Sequence, residues 1–378
     1  MGDKSRTIVI SGYYGFANSG DEAVLHSILS ALRGAATSVG MRINPVVLSG
    51  NPAETKRIHQ VDAVNRMRPK ELLRAINHAD AFISGGGSLL QDVTSRKSMI
   101  YYLAIILIGI LFRKKVYIYA QGIGPIRSRR WFAPFIRFLF ARSQLVSVRD
   151  LQSKELLISY GLTAQRIEIV PDPVMGMGMT MESSIKLPHQ YLPKHTRKKV
   201  AVSVRYWRKD REELKQIASA IASTLRNVNA DVFLLPFHLP TDVEASQYLL
   251  KQMIEMGISS EQIKLHPGAE HPQELLSFIS SCDILVGMRL HSLIYAATTG
   301  VPVVGISYDP KIDEFLQQIG ERSTGTTDTI QSISLTERIQ HLLQQGRVDW
   351  WEEKKLAITT MQQQATRMSQ QIIQQLRI

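Results

Sequence analysis

The feature that most constrains the fold of this chain is the regular alternation of short apolar segments with longer amphipathic ones. Short apolar segments are typical of buried strands, and helical periodicity separates them. Strands that alternate with helices favour parallel sheets, because parallel neighbours need crossover connections. The predicted strands are residues 7–11, 45–49, 81–84, 116–120, 145–148 and 167–170, then 200–204, 232–236, 263–265, 284–286 and 303–306. The sequence therefore predicts an α/β protein.

The length of 378 residues predicts two domains, because a single core rarely exceeds about 250–300 residues. The alternation is lost over residues 181–199, which contain Pro188 and Pro193. We expect a first domain at 1–180, a linker at 181–199, a second domain at 200–345 and a C-terminal helix at 346–378 that packs across the domain boundary. Two Rossmann-like domains facing each other across a cleft form the GT-B architecture, in which ligands bind at the carboxyl ends of strands.

The composition predicts a cytoplasmic protein. The sequence has one cysteine, Cys282, so it cannot form an internal disulfide framework. Cys282 lies in an apolar pattern, which is typical of a buried thiol. The N-terminus carries no apolar stretch typical of a signal peptide. The longest apolar run, residues 99–112, is shorter than the roughly 20 residues that a membrane-spanning helix needs.

The formal net charge of +12 suggests an anionic partner, and the charge is unevenly distributed. Residues 113–149 contain nine Lys and Arg but no Asp or Glu. Within them, segment 127–142 mixes arginines with Trp and Phe, which suits an anionic membrane surface. The alternative is that the aromatic rings pack inward and the arginines are merely solvated. A nucleic acid partner is not expected, because no recognised binding motif accompanies the charge.

Two residues suited to anion binding stand between a predicted strand and a helix of small residues. These are Arg289 and His291. A helix N-terminus carries unpaired N–H groups and partial positive charge, a guanidinium adds donors, and an imidazole moves protons near neutral pH. Arg205 and Lys311 are the predicted further ligands of a phosphate or carboxylate. The structural alternative for His291 is a surface histidine at a helix start.

Three glycine-bearing loops follow strands of the first half, at residues 12–20, 85–87 and 122–124. None has the spacing of a dinucleotide-binding or P-loop motif. Since the carboxyl ends of parallel strands share one edge, the loops together predict a ligand cleft. No cluster of His, Cys, Asp and Glu has the spacing of a metal site, so neither a metal nor a cofactor is expected.

Polar groups in and beside these loops suit contact with a sugar. The residues predicted to bind it are Tyr14, Asn18, Gly86 and Arg149, with the carboxylate of Asp21 beside them. Two structural alternatives stay open. Asp21 could serve only the start of a helix, and Arg149 could form an ion pair with Asp150.

Segments 12–23, 84–92, 121–125 and 287–291 together resemble the polysaccharide pyruvyl transferase family, and within it the CsaB type of bacterial cell-wall assembly. The resemblance implies a GT-B-like fold and transfer of pyruvate from phosphoenolpyruvate, as co-substrate, to a sugar. The implied product is a 4,6-ketal on β-linked N-acetylmannosamine of a lipid-linked secondary cell-wall polymer precursor. It forms at the inner face of the cell membrane and later anchors surface-layer proteins.

The resemblance also implies roles for residues of the second half. It assigns Arg205, Arg289 and His291 to the phosphoenolpyruvate site. We expect His291 to be the catalytic acid or to stabilise the departing phosphate, with Arg289 and Lys311 on the phosphate and Arg205 on the carboxylate. Asp21, in the first half, is the candidate base for the sugar hydroxyl. The expected acceptor-binding residues are Tyr14, Asn18, Gly86 and Arg149. The rival interpretation is a GT-B glycosyltransferase that grips the diphosphate of a nucleotide sugar with the same residues.

Overall fold

Two compact units make up the chain. The computed structural model describes residues 5–92, 95–177, 197–268 and 271–377. Unit 1 comprises Met1–Met177 and Met361–Ile378, and unit 2 comprises Gly178–Thr360. Residues 181–196 of the predicted linker lie outside the described residues, and its last two residues already belong to a strand of unit 2.

Unit 1 contains, among its described residues, a seven-stranded parallel sheet with the order β3-β2-β1-β4-β5-β6-β7. Its strands are β1 (Arg6–Tyr14), β2 (Ile43–Ser49), β3 (Asp62–Asn65), β4 (Ala81–Gly85), β5 (Lys115–Gln121), β6 (Leu145–Val148) and β7 (Ile167–Ile169). Its helices are α1 (Ser19–Ser38), α2 (Pro52–His59), α3 (Pro69–His78), α4 (Arg96–Leu111), α5 (Arg129–Ala141) and α6 (Leu151–Ser159). Strand β3 was not predicted, because this short edge strand is half polar and only partly buried.

Unit 2 repeats this arrangement with the order β10-β9-β8-β11-β12-β13 in its described part. Its strands are β8 (Lys198–Ser203), β9 (Ala230–Leu234), β10 (Ile263–Leu265), β11 (Ile284–Gly287), β12 (Val303–Ser307) and β13 (Gly325–Thr326). Its helices are α7 (Glu212–Asn227), α8 (Thr241–Glu255), α9 (Pro272–Ser280), α10 (Leu290–Thr298) and α11 (Pro310–Gln318). Strand β13 was also missed, since two residues carry no periodicity.

Each sheet has a point at which the direction of strand addition reverses. In unit 1 the reversal lies between β1 and β4, and in unit 2 it lies between β8 and β11. The loops that leave the two strands at such a point run to opposite faces of the sheet, which opens a crevice at the carboxyl edge. The fold of each unit therefore predicts a ligand position on its own sheet edge.

The C-terminal helix α12 (Ser332–Arg377) starts earlier than the predicted 346–378, and the backbone is non-helical at Gly346. Unit 2 extends to Thr360, past the predicted domain end at 345, and the later residues belong to unit 1. There the Tyr119 hydroxyl lies 2.9 Å from Ser369 Oγ and donates to the Ala365 carbonyl oxygen at 3.2 Å. These bonds fix the end of the helix to strand β5 of the first sheet.

The apolar run at residues 99–112 forms most of α4. Met99, Leu103 and Ile106 are fully buried in the core of unit 1. None of the helices in the described ranges has both the length and the apolar character needed to cross a membrane.

Candidate active site

Two arginines occupy equivalent positions at the reversal point of unit 2. Ser203 and Gly287 are register partners in the β8–β11 pair, and the Met288 N–H donates to the Ser203 carbonyl oxygen at 2.8 Å. Arg205 and Arg289 each follow this paired position by two residues. The parallel ladder therefore places both at the same sheet edge, as the sequence predicts.

A buried carboxylate orients Arg289. The Nε atom of Arg289 donates to Asp242 Oδ2 at 2.9 Å, and its Nη2 atom donates to Asp242 Oδ1. Asp242 is fully buried in the first turn of α8 and also accepts the backbone N–H groups of Phe237 and His238. Asp242 therefore takes two of the three nitrogens of the guanidinium fork, so Nη1 is the nitrogen left for a ligand.

Arg205 keeps a donor for a ligand. Its Nη1 atom donates to the Tyr308 hydroxyl at 3.1 Å, and its guanidinium lies over the rings of Tyr308 and Trp207 at 4.8 and 5.4 Å. Its Nε atom and the hydroxyl of Ser203 are buried and make no hydrogen bond within the described residues. A buried donor without a partner costs roughly 1–3 kcal/mol, so these atoms mark a place where a ligand would supply the missing acceptors.

His291 and Lys311 each lie in the first turn of a helix on this edge. His291 belongs to α10, which Arg289 precedes as the N-cap residue, and its Nε2 atom is shielded from solvent. Lys311 belongs to α11, and its Nζ atom lies 3.0 Å from Asp309 Oδ2. Both helix starts contribute partial positive charge to the edge that carries the arginines.

His238 is a member of this cluster that the sequence analysis missed. It follows β9 on the same edge, and its backbone N–H donates to Asp242 Oδ2 at 2.9 Å. Burial, followed by the charges of Arg289 and Arg205, lowers the pKa of His238 below its ordinary value, although Asp242 opposes the shift. The available signal was its position directly after a predicted strand. We expect its imidazole to be neutral at pH 7.

In unit 1 the structure gives Tyr14 and Gly86 structural roles in place of the predicted contact with an acceptor. The Tyr14 ring is 1% exposed, its hydroxyl donates to the Gly85 carbonyl oxygen at 2.8 Å, and burial raises its pKa well above the ordinary value. Gly86 has a φ of +64°, and a Cβ there would lie 1.9 Å from Val24 Cγ1. Packing of the β4 loop against α1 therefore requires glycine at this position.

Arg149 forms the ion pair with Asp150 that was the structural alternative to ligand binding. Its guanidinium lies 3.5 Å from an oxygen of Asp150 and 3.7 Å from one of Asp172, and it donates to the Ser88 hydroxyl at 2.6 Å. A Cβ on Gly122 would lie within 3.0 Å of three of its atoms. Arg149 thus holds the second and third glycine loops together, and its predicted contact with an acceptor gives way to this positioning role.

The start of α1 is held by side chains on both sides of Asp21. The Asn18 side chain caps the helix by accepting the Gly20 N–H at 3.1 Å, so its predicted sugar contact competes with capping. Glu22 accepts the Gly15 N–H at 2.7 Å and lies 2.9 Å from His59 Nε2, a contact not anticipated from sequence. Asp21 lies in this first turn, and a Cβ on Gly87 would be 3.3 Å from its Oδ1 atom.

No group of three or more His, Cys, Asp or Glu side chains within the described ranges is arranged to hold a metal ion. The positive charge in unit 2 comes instead from arginines and helix starts, which suits an organic anion.

Sequence comparison identifies two similarities. A family profile described as polysaccharide pyruvyl transferase matches residues 18–310. The amylovoran biosynthesis protein AmsJ of Erwinia amylovora is 22% identical over 277 residues, which are 64% of this chain and 60% of that protein. The chain therefore matches about 60% of the length of this curated relative.

Solved structures show the fold. A putative UDP-N-acetylglucosamine 2-epimerase from Listeria monocytogenes has a TM-score of 0.65 at 11% identity, over 98% of this chain and 95% of that chain. A glycosyltransferase from Rickettsia africae has a TM-score of 0.64 at 10% identity, over 99% of both chains. The fold is GT-B, with two parallel-sheet α/β domains. At such low identity the likeness carries no further conclusion.

The lowered pKa of His238 makes stability depend on pH. Above the ordinary histidine pKa of 6.5 the ring is neutral in both the folded and unfolded states. As the pH falls through 6.5 towards the lowered folded value, the unfolded state binds more protons, so the wild type loses stability. We expect His238→Asn to lose less stability than the wild type over this window in urea unfolding. NMR titration that places the His238 pKa at or above 6.5 would contradict the prediction.

Proposed function

We propose, because this chain belongs to the polysaccharide pyruvyl transferase family, that it transfers pyruvate from phosphoenolpyruvate to a sugar as a 4,6-ketal and releases phosphate. Family membership supports this enzyme activity. One observation carries the finer proposal: the family match runs through residues 18–310 and so includes Arg205, Arg289 and His291. We propose a CsaB-type acceptor, β-linked N-acetylmannosamine of a lipid-linked secondary cell-wall polymer precursor, whose product anchors surface-layer proteins.

The donor site follows from the cations of unit 2. Phosphoenolpyruvate carries a carboxylate and a phosphate, and each needs a positive partner. We assign the carboxylate to Arg205, whose buried Nε atom has no hydrogen-bond acceptor within the described residues. We assign the phosphate to Nη1 of Arg289, since Asp242 holds the other two nitrogens, and to the start of α10. Lys311 would bind the phosphate by giving up its ion pair with Asp309.

The transfer needs one acid and one base. Protonation of the methylene carbon of phosphoenolpyruvate places positive charge on C2, where one sugar hydroxyl attacks. The C2–O bond to phosphate then breaks, and the second hydroxyl closes the ketal at C2. We propose His291 as the acid, or as the group that stabilises the leaving phosphate. We propose Asp21 as the base that takes the hydroxyl protons.

A basic groove on unit 1 supports our proposal that the enzyme works at the inner face of the cell membrane. Trp131 is 84% exposed in α5, within segment 127–142. The groove has a volume of about 760 Å³. It is lined by Arg96, Arg127, Ser128, Arg129, Arg130, Trp131, Ala133 and Pro134. A tryptophan among arginines is typical of a surface that binds anionic lipid headgroups.

The activity is tested by phosphate release from phosphoenolpyruvate with a lipid-linked disaccharide that contains N-acetylmannosamine. We expect release that depends on the acceptor, together with thermal stabilisation of the protein by phosphoenolpyruvate. A panel of nucleotide sugars is the control. Stabilisation by nucleotide sugars alone, with no phosphate release, would favour the rival glycosyltransferase.

We expect His291→Ala to lower kcat by about 10²–10⁴, because a positioned acid contributes on that order to the rate. The thermal unfolding temperature should stay close to that of the wild type. His341→Ala is the matched control, because His341 is exposed on α12. Wild-type turnover by His291→Ala would exclude the assigned role.

The membrane contact predicts a charge-dependent affinity for vesicles. Each basic side chain at an anionic surface contributes about 1 kcal/mol, so Arg130→Glu should weaken binding to phosphatidylglycerol-containing vesicles by at least about fivefold. Trp131→Ala should also weaken it. Lys251→Glu changes the net charge equally on an exposed part of α8 and should bind like the wild type. Equal losses in the two charge variants, measured by co-sedimentation, would show a nonspecific effect.

A further inference from the structure

Two exposed aromatic rings lie stacked at the carboxyl edge of unit 1. The ring centroids of Tyr13 and Phe16 are 4.3 Å apart and their planes differ by 13°. Tyr13 is 39% exposed and Phe16 is 38% exposed. Tyr13 lies at the end of β1, beside the point where strand addition reverses, and Phe16 lies in the loop that leads to α1. The pair therefore stands where the fold predicts a ligand.

Backbone contact and a buried cation hold the ring pair. A Cβ on Gly50 would lie 2.7 Å from Phe16 Cζ, so the edge of the Phe16 ring rests on the backbone of Gly50. The guanidinium carbon of Arg66 lies 5.4 Å from the centre of the Phe16 ring. Arg66 is buried, and its Nη1 atom donates to the carbonyl oxygen of Gly12, the residue before Tyr13. The protein thus supports the ring pair on its inner side.

The loop that carries the rings is also fixed. Gly15, between them, has a φ of +80°, and its N–H donates to Glu22 Oε1 at 2.7 Å. The other oxygen of Glu22 lies 2.9 Å from Nε2 of His59, which is fully buried. A ligand that stacks on this surface would not have to order the loop, so little of the binding energy would be lost to conformational entropy.

Polar residues follow the ring pair along the chain. Asn18 and Asp21 follow Phe16 at the start of α1. A pyranose ring also combines apolar and polar parts, because it has an apolar face of C–H groups and a rim of hydroxyls. A lipid chain would need a continuous apolar channel, whereas this surface is one ring pair followed by an amide and a carboxylate. A sugar ring therefore fits the arrangement better than a lipid chain.

We propose that the Tyr13–Phe16 ring pair is the platform on which a pyranose ring of the acceptor stacks. This inference rests on the proposed function, because the ligand to which it commits is the sugar acceptor. The platform contacts the flat face of the ring, away from the hydroxyls that react. Its contribution is therefore equal in the ground state and the transition state, and its loss raises KM for the acceptor without lowering kcat.

The test compares Tyr13→Leu with Tyr13→Phe. Leucine keeps an apolar side chain but removes the flat ring, so we expect KM for a soluble disaccharide containing β-linked N-acetylmannosamine to rise about tenfold, with kcat and KM for phosphoenolpyruvate unchanged. Tyr13→Phe keeps the ring and should stay within about twofold of the wild type. Leu111→Ala removes an exposed apolar side chain from the far end of α4 and should have no effect. Thermal unfolding confirms that all three variants fold.

A second measurement separates this inference from the proposed activity. Calorimetry with the same soluble disaccharide, without phosphoenolpyruvate, should show about tenfold weaker binding by Tyr13→Leu. If the wild type binds the sugar through Tyr13 but releases no phosphate, the platform stands and the proposed activity fails. Equal affinities of Tyr13→Leu and wild type, or no binding of the sugar by wild type, would overturn the platform. An effect confined to the lipid-linked acceptor would also overturn it, since the rings would then contact lipid.

Discussion

Parallel pairing of the strands is the constraint on which the rest of this structure depends. Because all strands of a sheet run in one direction, every loop that follows a strand emerges at the same edge. Residues far apart in sequence, such as Arg205 and Arg289, lie at the same edge because their strands are register neighbours. The same rule brings the loops after β1 and β4 together in unit 1. The chemistry of each unit is thus concentrated on one edge of its sheet, and the opposite edge is left to connections.

Most strands of the two sheets could be predicted, because buried parallel strands are continuous apolar runs that can be recognised without knowing which strands pair. Strands β6 and β10 have the predicted bounds. The short edge strand β3, of which two of four residues are polar, shows why the rest could not be predicted. Only half-buried, it carries no apolar run, and its place depends on pairing with β2. The early start of α12 was missed because Gly346 interrupts the periodicity between its two parts.

The site was predictable to the level of loops and not to the level of single atoms. Glycines and charged residues after strands mark the edge, but burial decides which of them can meet a ligand. Tyr14 and Arg149 carry groups that could bind a sugar. However, the Tyr14 hydroxyl bonds to the backbone of Gly85, and Arg149 joins two loops through Ser88. Asp242 lies 47 residues from Arg289, and local sequence gives no signal of their pairing. Such buried pairs contribute orientation more than stability, because desolvation offsets much of their attraction.

The return of the chain to unit 1 at Met361 has a consequence for how the protein is made. The strands of the first sheet leave the ribosome early, but Ser369, which bonds to Tyr119, comes 250 residues later. Until then the sheet lacks part of its cover, and the whole of unit 2 must be synthesised in between. A fragment that ends at Met177 would therefore expose apolar surface that the full chain buries. Unit 1 is therefore complete only after the whole of unit 2 has been synthesised.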